Sequence, residues 1–188
     1  MRSITNIGLI FSMIQSSTSK IAHKGNAMIL EMKENDFIVS KTDTKGRITY
    51  VNKIFMTMAE YSEEELLGKP HSIIRHPDMP KAVFKLLWDR IQNKEEIFAF
   101  VLNKTKNNNS YWVFANITAS LDLNGNIIGY FSVRRKPSQK GLDIIEPLYK
   151  KMLEAERSGG MQAGVNLLMD TLKNEGVSYD EFVISIQG

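Results

Sequence analysis

The chain has 188 residues, room for one core with helical extensions, and its 43% apolar and 24% charged residues are the balance of an ordinary globular fold. The formal charge of +3 comes from Lys and Arg that alternate with Asp and Glu along most of the chain, so no nucleic-acid partner is expected. The absence of cysteine excludes disulfides, thiolate metal or cluster sites, thiol nucleophiles and any photochemistry that joins a cysteine to a flavin.

Residues 1–35 begin rich in Ser, Thr and Asn and then alternate Met with charged residues from Met28 to Glu34, which predicts an arm followed by a short helix or an extended cap. The apolar run from Ile7 to Ile14 is far shorter than the roughly 20 residues of a spanning helix, and no convincing cleavage site follows it, so a cytoplasmic protein is expected. Phe37-Ile38-Val39 and Ile48-Thr49-Tyr50-Val51 are β-prone runs joined by turn chemistry at Asp43-Thr44-Lys45-Gly46, which predicts a hairpin. Asn52 then stands as an N-cap before Lys53–Tyr61, where Ile54, Phe55, Met58 and Ala59 recur at helical spacing. Ser62 and Glu65 form a capping box for a short helix that Gly68 ends.

The stretch from His71 to Pro80 has the composition of a loop that carries chemistry, with two prolines, two histidines, an arginine and an aspartate. Pro80 opens a helix whose stripe is Ala82, Val83, Phe84, Leu87, Trp88 and Ile91. Three β-prone segments follow, Ile97–Leu102, Tyr111–Ser120 and Ile127–Val133, linked by polar turn-formers that favour antiparallel hairpins. The basic run Arg134, Arg135, Lys136 reads as a solvated linker at the end of this block. Beyond Pro137, Ile144–Glu156 and Met161–Glu175 read as amphipathic helices separated by Ser158-Gly159-Gly160, and they must pack on the core or on another chain. The apolar tail from Val177 to Ile186 predicts a last short element.

Among these residues, the Arg75 guanidinium can grip a phosphate or carbonyl, and the His76 imidazole can donate a hydrogen bond while responding to pH near neutrality. Asp78 either joins them at a ligand or fixes the loop by pairing with Arg75. Trp88 is a core residue or a stacking partner, and Asn52 is a cap whose amide can also reach a ring carbonyl. Asn116 shares one strand face with Trp112, Phe114 and Thr118, opposite Tyr111, Val113, Ala115 and Ile117. It is a buried amide in need of a partner if the even face is inward, and a solvated one if the odd face is. His71 or His76 is the only axial ligand open to a haem, and the histidines at 23, 71 and 76 do not make a metal site.

Asp43–Asn52, Gly68, Ile73–Pro80 with its Arg-His-Pro-Asp-Met-Pro string, Leu87-Trp88, Tyr111-Trp112-Val113 and Gly129–Arg134 together resemble the FAD-binding PAS domains of bacterial aerotaxis receptors. The resemblance covers about residues 36–137, and the C-terminal helix Leu148–Ala155 is similar to that of the PAS half of split energy-taxis sensors. It implies a PAS fold of the α+β class: a five-stranded antiparallel sheet with helices on one face, residues 36–137, preceded by a cap at 1–35 and followed by a helical extension at 138–188. It further implies non-covalent FAD between helices and sheet, with Arg75, His76, Asp78 and Trp88 at the positions tied to flavin binding and Asn52 at that of the Asn which opens the first core helix. Relatives carry a Trp where this chain has Ile97 or Phe98, and Lys-Asn-Arg where it has Leu102-Asn103-Lys104. The implied function is a non-enzymatic redox or energy sensor that signals to a separate membrane-bound chemotaxis transducer, which recruits it to the inner face of the membrane. A homodimer through the flanking helices is compatible with this. The alternatives are a cofactor-free PAS interaction module and a haem-based gas sensor.

Overall fold

The computed structural model describes residues 27–188, so the apolar run Ile7–Ile14 and most of the expected arm lie outside the described residues. Its elements are β1 (Ile38–Thr42), β2 (Ile48–Val51), α1 (Lys53–Ala59), α2 (Glu63–Leu66), a 3-10 turn (His71–Ile74), α3 (Lys81–Gln92), β3 (Ile97–Lys104), β4 (Ser110–Leu121), β5 (Ile127–Arg135), α4 (Gln139–Glu175) and α5 (Tyr179–Gln187). The five strands form one sheet in the order β2-β1-β5-β4-β3, and every neighbouring pair is antiparallel. Residues 28–30 extend beside the start of β4, where Leu30 N–H donates to the Ser110 carbonyl at 2.7 Å.

Period-2 alternation decides what each face of the sheet carries. Ser40 pairs with Ser132, Ile117 with Ser132, Ala115 with Arg134, and Asn103 with Tyr111, so all of these share one face. The helices between β2 and β3 lie over that face. Asn52 is the strut that fixes the first of them: its Oδ1 accepts from Phe55 N–H and Val39 N–H, both at 3.0 Å, and its Nδ2 donates to the Phe37 carbonyl at 2.7 Å. The Ser62–Glu65 capping box is present at α2 as expected.

The C-terminal extension covers the opposite face along β3 and β4. Phe100, Phe114 and Trp112 face it, the Trp112 ring lies 6.2 Å from that of Tyr149, and the Tyr149 hydroxyl donates to the Phe100 carbonyl at 2.9 Å. α4 starts earlier than its apolar pattern indicates, because Ser138 caps it by accepting from Gly141 N–H at 3.0 Å. It breaks at Gly160, whose φ of 70° and ψ of −175° are open to glycine and not to a side-chain-bearing residue. The break turns the second arm toward α3. On the first arm, just before the break, Glu156 accepts from Lys81 N–H at 3.0 Å and Ala82 N–H at 2.8 Å, giving α3 a cap that Pro80 has no side chain to supply. α5 is tied to the same helix by Arg90, which donates to both carboxylate oxygens of Asp180 at 2.8 and 2.6 Å. No helix among the described residues is long and apolar enough to cross a membrane.

Candidate functional site

A cavity of about 270 Å³ lies between the covered sheet face and α3. That is close to the roughly 300 Å³ at which small-molecule sites begin. Its helical wall is Phe84, Leu87, Trp88 and Ile91, and the 3-10 turn with Arg75 forms its mouth. Its floor is Ser40 and Thr42 of β1, Val101 and Asn103 of β3, Ala115 and Ile117 of β4, and Tyr130, Ser132 and Arg134 of β5. Among the described residues, Lys45, Arg75 and Arg134 are the charged ones of this wall, and none is a carboxylate.

Arg75 and Trp88 are the sequence candidates that line the cavity. The Arg75 guanidinium lies over the Phe84 ring at 3.7 Å, and burial draws its pKa down while Glu156 partly opposes the shift. The backbone of Arg75 pairs with Asn103, which anchors the mouth to the edge strand. Trp88 meets the Tyr130 ring edge-on at 5.4 Å. His76 and Asp78 stand outside the wall and make a local turn, with Asp78 N–H donating to His76 Nδ1 at 3.1 Å. Met79 plugs that turn into the core, where its Sδ accepts from Leu102 N–H at 3.2 Å. Asn52 is engaged as the strut described above. Asn116 lies on the face away from the cavity and donates to Glu96 Oε2 at 3.1 Å, because it is the odd face of β4 that turns inward.

The polar groups deepest in the cavity come from strands. Arg134 is 5% exposed, so it is not part of a solvated linker as its place in a basic run predicts. Its alternation with Tyr130 and Ser132 carries it to the cavity face, and that period was the signal in the sequence that could have found it. Arg134 Nη2 donates to Ser40 Oγ at 3.0 Å and to His71 Nε2 at 2.8 Å, and Ser40 Oγ lies 3.1 Å from the same nitrogen. Three residues of the lining, Asn103, Ser132 and Arg134, each carry a buried polar atom, Nδ2, Oγ and Nη1, with no hydrogen-bond partner among the described residues. Unpaired buried polar atoms cost on the order of 1–3 kcal/mol each, and their convergence on one cavity is what a site for a polar ligand requires.

His71 accepts from a guanidinium, so its proton sits on Nδ1 and the ring is neutral. Burial, reinforced by the Arg134 charge, pushes its pKa down to about 3. With Nε2 held by Arg134 and Ser40, that nitrogen is not open to a haem iron. The unfolded chain takes up a proton at His71 near pH 6.5 and the folded chain does not. Stability therefore falls on acidification below that value, by about 2 kcal/mol between pH 7 and pH 5 from this residue. Urea titrations at both pH values should show that loss, and His71→Asn should remove it; an unchanged pH slope in the variant would contradict the assignment.

No group of His, Cys, Asp and Glu suited to a metal ion occurs among the described residues. The sequence signature of the PAS fold matches residues 32–136, more than half of the chain, and the protein belongs to the PAS family. The aerotaxis receptor of Escherichia coli strain K12 is 36% identical over 128 residues, which are 68% of this chain and 25% of the receptor. The chain thus spans about a quarter of that relative's length. A PAS domain of a protein from Colwellia psychrerythraea superposes with a TM-score of 0.50 at 19% identity, covering 53% of this chain and 85% of that one. A light-oxygen-voltage domain, from a structure concerned with a flavin analogue, superposes with a TM-score of 0.50 at 22% identity, covering 64% and 84%. These two likenesses bear on the fold. The protein is a PAS-type signalling domain related to aerotaxis receptors and, in fold, to light-oxygen-voltage domains.

Proposed function

We propose that this PAS domain binds FAD non-covalently in the cavity and works as a cytoplasmic redox or energy sensor that signals to a separate, membrane-bound chemotaxis transducer. The observation that carries the reading is the cavity: among the described residues it has three cations, no carboxylate, and three lining residues with a buried polar atom that lacks a protein partner. When bound, the flavin supplies reversible electron uptake. Asn103 Nδ2 and Arg134 Nη1 are donors suited to the carbonyl edge of its ring, and Ser132 Oγ can donate or accept there. Trp88, Leu87 and Ile91 give the ring an apolar wall, while Arg75 and Lys45 at the mouth match a pyrophosphate. The cavity is too small for a whole dinucleotide, so the adenosine half would extend past the mouth. His76, Asp78 and Asn52 hold the backbone that presents these groups, and Asn116 serves the opposite sheet face.

With no cysteine in the chain, a signal through a cysteinyl-flavin bond is excluded, and the flavin must act through charge and hydrogen bonding. The route outward is short. α3 carries the cavity's helical wall and takes its cap from Glu156 of the C-terminal extension, so a shift in α3 changes how that extension docks. In this reading residues 36–137 are the sensor and 138–188 the output arm.

The first test is the absorption spectrum of the purified protein before and after dithionite. Flavin bands that bleach on reduction are the expected result, and Trp88→Ala together with Arg75→Ala should lower flavin retention. A protein that stays colourless after incubation with FAD overturns the flavin reading and leaves a cofactor-free interaction module; a Soret band would move the site to haem.

A further inference from the structure

Among the described residues, Arg134 is a buried cation without an anion. Ser40 from β1 and His71 from the 3-10 turn both contact Nη2, the Phe55 ring of α1 lies 5.5 Å from the guanidinium carbon, and Nη1 has no partner. Burial draws the Arg134 pKa down only to about 10, so the group is charged at neutral pH. None of its neighbours neutralises it. His71 is an uncharged acceptor, and burial holds the Tyr111 phenol of β4 neutral, far above its ordinary range. The other charges of the cavity wall, Lys45 and Arg75, are also positive. Enclosing a lone charge costs several kcal/mol, and the cost is offset when a ligand brings the opposite charge.

We propose that Arg134 is the residue that sets the charge state of the bound ring: its free Nη1 holds the ring edge that becomes negative on reduction, so the site favours the reduced, anionic form. The inference rests on the flavin reading. In the step, the oxidised ring takes two electrons from a reductant, dithionite in the test, and one proton at N5. The second proton that N1 would otherwise take stays in solution. The remaining negative charge on the N1 and C2-carbonyl side is balanced by the guanidinium. A charge pair of this kind, partly screened, makes the reduced form bind about tenfold more tightly than the oxidised one. Ser40 and His71 are positioning residues here, since by holding Nη2 they fix the guanidinium plane that carries Nη1.

The test is a redox titration of the full-length holoprotein and of Arg134→Gln and Arg134→Lys, repeated from neutral to mildly acid pH. In the wild type burial and the Arg134 charge hold His71 below that range, so His71 adds no proton to the wild-type count. The wild type should take one proton per two electrons even on the acid side, where the free ring takes two. The flavin-loaded fraction of Arg134→Gln should show a lower midpoint potential and take two protons; Arg134→Lys should keep most of the wild-type potential. A wild type that takes two protons on the acid side overturns the inference even if no variant folds, and so does Arg134→Gln with an unchanged potential. A protein that binds no flavin overturns this inference together with the reading beneath it.

Discussion

Phe55→Ala should cost about 3–5 kcal/mol of folding stability, the range for removing a fully buried aromatic ring from a core that cannot close around the gap. Phe55 is wholly buried on the first turn of α1, a helix of two turns with little stability of its own, held down chiefly by this ring and the Asn52 strut. The ring meets His71 edge-on at 5.7 Å and flanks the Arg134 guanidinium. It is therefore both a pillar between helix and sheet and the apolar screen around the buried cation. Two results are expected from urea unfolding. The midpoint drops steeply, and the stability lost on acidification shrinks, because water entering the gap relieves the desolvation that keeps His71 neutral. Phe55→Leu, which keeps most of the volume, should cost under about 1.5 kcal/mol. A loss below about 1 kcal/mol for the alanine variant would mean that α1 reseats on the sheet and that Phe55 is not the pillar.

The strands and short helices were legible because their signals are local. Ile48–Val51 is a β-prone run behind a turn, Ser62 and Glu65 sit at capping-box spacing, and Pro80 precedes a stripe at helical period, so each element declares itself within a few residues. The C-terminal extension was legible in kind but not in length. Gly141 is a weak helix former, yet it lies inside α4 because it packs tightly against the Phe100 ring, a tertiary contact that local propensity does not contain. The break at Gly160 was visible as a Ser-Gly-Gly run, whereas its consequence, a second arm that packs Gly164 against Glu156 and Ala82, depends on folding.

The site divides in the same way. The Arg75–Pro80 string stands out by composition, and it makes the mouth and the turn behind it. The floor does not stand out, because Ser40, Asn103, Ser132 and Arg134 are single polar residues in separate strands, brought together by the β1-β5-β4-β3 register. Arg134 was hidden twice, once in a basic run and once by sitting at the end of a strand. Which face of β4 turns inward is set by what packs on each side. The apolar even face of Trp112 and Phe114 looked like a core and is one, covered by α4 and α5 on the far side of the sheet from the cavity.

Gly129→Ala tests whether that register is the element on which the site depends. A Cβ at Gly129 would stand 2.2 Å from the Thr42 carbonyl oxygen, a backbone atom that cannot rotate out of the way. The clash falls between β5 and β1, where Thr42 pairs with Tyr130 and Ser40 with Ser132. Relief requires the strands to part, which loosens the Ser40 contact to Arg134 and opens the cavity floor. The expected cost is about 3 kcal/mol, at the upper end of what overpacking does, and a large share of the roughly 5–15 kcal/mol that holds such a domain together. Gly125→Ala on the same hairpin is the control. Nothing lies within 4 Å of a Cβ there, and the φ of 78° alone should cost about 1 kcal/mol. If the two variants unfold at the same urea concentration, the β1–β5 contact is soft and the floor does not rely on it. If Gly129→Ala alone loses stability, and hydrogen exchange quickens along β1 and β5 before β3 and β4, the binding face is held by close backbone packing at one edge of the cavity.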